Sequence, residues 1–235
     1  MRHPNHAATG LNPHMLQQKA LMIAGVFRSG TNAMRATLEA NYYCLPRFNQ
    51  YFWKHSLPPH SAASIIPPET GVICMIRNPI DWSRSLFKFW HTRRKELLPS
   101  SKVAKFIRDP LIVYDNSMGL DGIHYHFNSP IDYWNKYYYA WAFWKSMRNR
   151  VIFVRLEDFE TQTESVLNLI EEKFSLIRRP TWHPALPSRR VGPFVPTSIS
   201  GLDSDFSPSD HEFIIENCLP ELKKLFKYCV DNHSM

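Results

Sequence analysis

Gly25-Val26-Phe27-Arg28-Ser29-Gly30-Thr31-Asn32 closes an apolar run that begins at Leu21 and opens a helix-like stretch over 31–41. A strand that turns on glycine into a helix aims unpaired backbone N–H groups, and the positive end of the helix dipole, into the turn. Such a turn is a cradle for phosphate or sulfate. Gly25 and Gly30 keep the four-residue gap of a Walker A loop, but Thr31 stands where that motif needs its lysine, and Arg28 supplies positive charge from within the loop. The pattern describes a phosphate loop that is not built for ATP or GTP hydrolysis. A glycine turn alone is a weak signal, because a ligand-free turn between strand and helix reads the same way.

A second stretch strengthens it. Val72 to Ile76 is a five-residue apolar run, expected as a strand buried on both faces, and Pro79 suits the first turn of a following helix. Arg77 then sits at the carboxyl edge of a buried strand. Ser85 lies eight residues on, about two helical turns, so its hydroxyl can face the strand end beside the planar fork of Arg77. Asp81 reads as a first-turn acid favoured by the helix dipole, not as a catalytic group.

Working outward, strands are expected at Leu21 to Val26, Tyr51 to Lys54, Val72 to Ile76 and Val151 to Leu156. Helices are expected at about 31–41, 80–95, 130–148, 162–174 and 208–229. This alternation predicts an α/β fold: an open, mainly parallel sheet flanked by helices on both faces, of the P-loop nucleotide-binding kind. Ligands in such sheets bind beyond the carboxyl ends of the strands, where the 25–32 loop, His55 and Arg77 all fall. Trp134, Tyr138, Trp141 and Trp144 recur at helical spacing and read as core packing, with a ligand platform as the other reading. Residues 96–129 lack a regular pattern and are expected as a lid or substrate loop.

Three segments, taken in order, resemble the signature of the sulfotransferases that use 3′-phosphoadenosine 5′-phosphosulfate (PAPS). They are Arg28-Ser29-Gly30-Thr31-Asn32, then Arg77-Asn78-Pro79-Ile80-Asp81 with Ser85, then Val151 to Phe159 with its Glu157-Asp158 pair. The segment Trp53-Lys54-His55-Ser56-Leu57-Pro58 is similar to the stretch that carries the catalytic histidine in the cytosolic branch, and the likeness runs from about Leu21 to Tyr228. The resemblance implies that Arg28, Ser29, Gly30, Thr31 and Asn32 hold the 5′-phosphosulfate, that Arg77 and Ser85 hold the 3′-phosphate, and that His55 is the general base. Ser188-Arg189-Arg190-Val191-Gly192 looks like the stretch that closes over PAPS, implying Arg189, Arg190 and Gly192 as further contacts. A carboxylate base stays open, with Glu69 the nearest by position. Transfer from PAPS, leaving PAP, would need no metal, because a sulfuryl group carries less charge than a phosphoryl group and side chains can stabilise it.

Composition agrees. The chain of 235 residues fits one domain over 21–235 behind a flexible tail over 1–20. A formal charge of +7 points to an anionic partner, which PAPS would be and an acidic polysaccharide would also fit, but the densest basic run, His91-Thr92-Arg93-Arg94-Lys95, reads as a solvated helix end, and nucleic acid is not expected. Cys44, Cys74, Cys218 and Cys229 lack metal-site spacing and read as reduced, buried thiols. No apolar stretch approaches a membrane span, and the first twenty residues lack the apolar centre of a signal peptide, so a cytoplasmic location is expected. The acceptor is a hydroxyl-bearing small molecule or glycan, and Tyr42, Tyr51, Phe52 and Trp53 either line its pocket or pack the core. Two other readings stay open: a small-molecule kinase of the same fold, and a protein that holds PAP without turnover.

Overall fold

The computed structural model describes residues 19–58, 65–93, 102–115, 123–183 and 206–228. Two apolar strands, β1 (Lys19–Gly25) and β3 (Gly71–Ile76), form the centre of a four-stranded parallel sheet, flanked by β2 (Cys44–Arg47) and β6 (Val151–Arg155) in the order β2-β1-β3-β6. β3 is buried along its whole length, as a strand covered on both faces must be.

Period-two alternation sorts the strand residues into two cores. Met22, Ala24, Val72, Cys74 and Ile76 face α2 (Pro79–Arg93), α4 (Pro130–Met147), α7 (Pro208–Asn217) and α8 (Pro220–Phe226). Leu21, Ile23, Ile73, Met75, Ile152 and Val154 face α1 (Thr31–Asn41), α5 (Leu156–Thr161) and α6 (Thr163–Phe174). The short α3 (Val103–Phe106) and the antiparallel hairpin β4 (Leu111–Asp115) with β5 (Ile123–Phe127) extend the first core through Val103, Phe106, Val113 and Phe127. The chain leaves β1 for β2 on one side and then crosses to β3 on the other, which puts the topological switch point at the carboxyl ends of β1 and β3.

Three expectations are corrected. The Tyr51 to Lys54 segment is not a strand, and the edge strand is Cys44–Arg47 instead. The aromatic run is used in packing, with Phe52 near Trp141 and Trp53 edge-on to His55, while Pro46, tolerated on an edge strand, hides β2 from a propensity reading. The stretch 96–129 is not patternless: it carries α3 and the β4–β5 hairpin, whose five-residue strands are too short to announce themselves without their pairing. Its residues 96–101 and 116–122 lie outside the described residues. The helix expected over 208–229 is two helices, broken where Cys218 is extended and Pro220 keeps Leu219, at ψ 128°, out of the helical region. α5 was not foreseen at all.

Cys44, Cys74 and Cys218 are buried free thiols, and Cys229 lies outside the described residues, as does most of the expected N-terminal tail. Among the described residues no helix is long and apolar enough to cross a membrane.

Candidate active site

β1 ends at Gly25 because no side chain fits there: a Cβ would lie 2.3 Å from the Ser29 Oγ and 2.9 Å from the Met75 carbonyl oxygen. The loop then turns through Arg28 at φ 64° and Gly30 at φ 90°, both in the left-handed region. Ser29 shapes the turn from inside, its buried Oγ donating to the Val26 carbonyl at 2.8 Å. Gly30 caps α1, with no side-chain hydrogen bond to the cap and no acid in the first turn. Two other helices are finished differently: Ser129 accepts from the Asp132 N–H at 3.1 Å to start α4, and Ser207 and Asp210 form a reciprocal box at α7. α1 alone of these three offers its first N–H groups to an outside acceptor.

Cationic side chains converge on that helix end. Arg77, at the end of β3, donates from Nη1 to the Arg28 carbonyl at 3.2 Å, and Arg28 Nε donates to the Ser85 Oγ at 3.2 Å. The Arg28 guanidinium lies 5.5 Å from the centre of the Phe89 ring. Burial, and then the charge of Arg77, lower the pKa of Arg28. Lys54 Nζ donates to the Asn32 Oδ1 at 2.9 Å, and burial, followed by the charge of Arg35, brings its pKa down to about 8. Cations held together at depressed pKa values are the setting an anion relieves.

His55 is buried beside the loop, stacked on Phe27 at 4.2 Å. Its Nδ1 lies 2.6 Å from the Gly25 carbonyl oxygen, which can only accept, so the proton sits on Nδ1 and the lone pair on Nε2. Burial first, and Lys54 second, pull its pKa down to about 3, against the opposing hydrogen bond to Gly25. The ring is neutral at physiological pH.

The aromatic helix α4 carries more than packing. Tyr133 donates to the His55 carbonyl at 2.6 Å, Tyr137 donates to the Lys54 carbonyl at 2.5 Å while accepting from the Gly25 N–H at 2.6 Å, and Tyr138 donates to the Met75 carbonyl at 2.8 Å. Trp134 Nε1 donates to the Arg77 carbonyl at 3.2 Å, and Trp82 Nε1 of α2 to the Phe27 carbonyl at 2.6 Å. Each buried ring thus satisfies its own polar tip on a backbone carbonyl of a site segment. Glu157 fixes the Arg77 turn from the other side, accepting from the Asn78 N–H at 2.7 Å and from the Tyr228 hydroxyl at 2.7 Å.

Of the residues singled out from sequence, Arg28, Gly30, Thr31, Asn32, Arg77 and Ser85 surround one helix end, and His55 is tied to it through Gly25. The Ser29 hydroxyl is turned into the loop. Glu69 stands exposed in the turn before β3, at the amino edge of the sheet, opposite the Arg77 edge. Asp81 pairs with Arg84 at 3.2 Å, as a first-turn acid would. Arg189, Arg190 and Gly192 lie outside the described residues. Tyr42 packs on the far core with its hydroxyl near Glu171, Tyr51 meets Thr70, and Trp53, 5.3 Å from Phe27, is the residue of that aromatic group beside the site. Lys54 is a neighbour of the loop that the site residues expected from sequence do not include, although a lysine beside His55 was the signal for it, and nothing in the sequence singles out the hydroxyls of Tyr133 and Tyr137.

Among solved structures the fold is similar to that of mouse sulfotransferase SULT7A1 complexed with PAP, with a TM-score of 0.53 at 13% identity over 89% of this chain and 87% of that one. At that identity the likeness shows the fold. No protein-family model matches the chain, and no curated protein matches it by sequence.

Proposed function

We propose that this chain is a sulfotransferase that moves a sulfuryl group from PAPS to the hydroxyl of an acceptor. The observation that carries the reading is the convergence of Arg28, Arg77 and Ser85, joined by contacts of 3.2 Å, on the uncapped start of α1. The donor set fits a nucleotide with phosphate at both ends: strong charge-assisted donors, open helix N–H groups and crowded positive charge. A structural neighbour of the same fold, crystallised with PAP, supports it.

PAPS supplies an activated sulfuryl group on a phosphate leaving group. Arg28, Thr31, Asn32 and the loop N–H groups hold the 5′ end, and Arg77 with Ser85 holds the 3′-phosphate. Arg28 and Lys54 place positive charge where negative charge builds on the leaving oxygen. His55, its Nδ1 proton engaged by the Gly25 carbonyl, presents Nε2 to take the proton of the acceptor hydroxyl. An anionic cosubstrate beside the ring opposes the pull of Lys54, the smaller of the two causes that lower the His55 pKa, and so acts in the direction of a more basic Nε2. The burial of His55 also favours a second reading, a protein that holds PAP without turnover.

Label from PAPS sulfur, offered with a panel of glycan and phenolic acceptors, separates the two. The sulfotransferase reading expects acceptor-dependent transfer of label, lost in Arg77→Ala. A PAP-induced rise in melting temperature with no transfer to any acceptor supports the second reading instead.

A further inference from the structure

Beside the candidate active site lies a cavity of about 610 Å³ that neither the loop nor His55 lines. Its size falls within the range of ligand sites. Arg35, Arg47 and Arg179 line it against one acid, Glu39, which pairs with Arg35 at 2.7 Å. Arg47 is exposed, and Arg179 is held in place, its Nε donating to the Tyr42 carbonyl at 3.1 Å and its guanidinium lying 4.9 Å from the Tyr43 ring centre. The cavity therefore holds a net excess of positive charge.

It is also joined to the reacting end of the site. Phe48, a wall of the cavity, carries Arg35 at 5.0 Å and Lys54 at 3.5 Å from its ring centre, and Lys54 reaches from there to Asn32 of the loop. A chain lying in the cavity would end beside Lys54. We propose that this cavity binds the acceptor, and that the acceptor is an anionic oligosaccharide. The proposal rests on the sulfotransferase reading for the word acceptor, while the occupant is argued from the cavity alone.

Three features choose that occupant. The arginine forks suit carboxylate or sulfate groups spaced along a sugar chain. Asn49 and Gln50 on the wall match ring hydroxyls, whereas a phenol needs an apolar slot, and the Phe48 ring here already carries two cations. An acidic peptide would bind by adding a strand to the open edge of β2, but Pro46 has no N–H to give and the Tyr43 N–H is already donated to the Ile177 carbonyl at 2.8 Å.

The test is binding of fluorescent hexamers to the full chain by anisotropy, at low and moderate salt. The probes are oligogalacturonate, a heparin-derived hexasaccharide, neutral maltohexaose and hexaglutamate. Both anionic sugars should bind at least about tenfold more tightly than maltohexaose, weakening with salt, and each of Arg47→Ser and Arg179→Ser should cost on the order of tenfold. Preference for one anionic sugar over the other identifies carboxylate or sulfate as the recognised group, and either result supports the proposal. Equal binding of maltohexaose overturns the role of charge, and hexaglutamate binding as tightly as the sugars overturns the choice of a glycan. The PAP-induced thermal shift, measured on the same variants, should be unchanged. If that shift is absent in the unsubstituted chain, the sulfotransferase reading fails independently of the cavity.

Discussion

Arg28 is a branched test of the loop, because its backbone and its side chain have opposed needs. A non-glycine residue at φ 64° is strained by an amount on the order of 1–3 kcal/mol, and its guanidinium is crowded by Arg77. Arg28→Gly relieves that strain, while the added freedom of the unfolded chain costs about 0.5–1 kcal/mol. Thermal unfolding should therefore show stability kept or slightly raised, while calorimetry shows PAP binding largely lost. A variant that binds PAP normally would remove Arg28 from the site. At His55, asparagine is the informative substitute, since its side-chain N–H can replace Nδ1 as donor to the Gly25 carbonyl but offers no basic nitrogen. His55→Asn should lower turnover by on the order of a hundredfold or more with PAP affinity nearly unchanged. The same pair of proteins should differ with pH. The folded-state pKa of about 3 lies below the ordinary 6.5, so between those values the unfolded chain holds a proton that the folded one does not, and stability falls as pH falls below 6.5. The stability advantage of the native residue over asparagine should shrink by at most about 1.4 kcal/mol per pH unit in that window, as measured by urea unfolding. A pH-independent difference would mean that His55 is not held neutral.

At the scale of elements, α4 acts as a clamp. Its tyrosines hold the carbonyls of Met75, Lys54 and His55, so the ends of β3 and of the 54–55 turn are referenced to one rigid helix. Tyr137→Phe removes the hydroxyl that bonds both the Lys54 carbonyl and the Gly25 N–H, and because these two also bond each other directly at 3.1 Å the cost in stability is about 0.5–1.5 kcal/mol. Because Tyr137 positions Lys54 and His55, its loss should lower kcat while leaving KM for the nucleotide nearly unchanged, and Tyr139→Phe, on an exposed position of the same helix, should do neither. A purely structural role would lower the melting temperature and leave kcat intact. Legibility differed by element for physical reasons. β1, β3, β6 and α1 announce themselves because buried runs and a glycine turn are written into adjacent residues. The hydroxyls of α4 do not, since a period of 3.6 shows which face is buried but not that a buried tyrosine reaches a carbonyl 83 residues away. β2 was hidden by Pro46 and by the stronger propensity of Tyr51, Phe52 and Trp53, which tertiary contacts overrode.

For the whole molecule, the sheet order puts a topological switch point at the carboxyl ends of β1 and β3, the place where open parallel sheets bind ligands. The loop after β1, the turn at Lys54-His55 and the end of β3 meet at the switch point, two cores hold the strands from either face, and the cationic cavity beside β2 continues outward from Lys54. That Arg28, Arg77 and Ser85 come together is legible in the sequence, because they lie in short segments whose order fixes their side of the sheet. The placement of Glu69 at the opposite edge could be read only from strand direction. Two anion subsites held together at the switch point, as proposed, require a ligand preference. Adenosine 5′-phosphate differs from PAP only in lacking the 3′-phosphate, so comparing the two isolates the subsite proposed for Arg77 and Ser85. Measured by thermal shift at equal concentrations, PAP should raise the melting temperature well above the rise given by adenosine 5′-phosphate, and Arg77→Ala should remove most of the difference. Equal shifts for the two nucleotides in the unsubstituted chain, or no shift with either, would contradict the account.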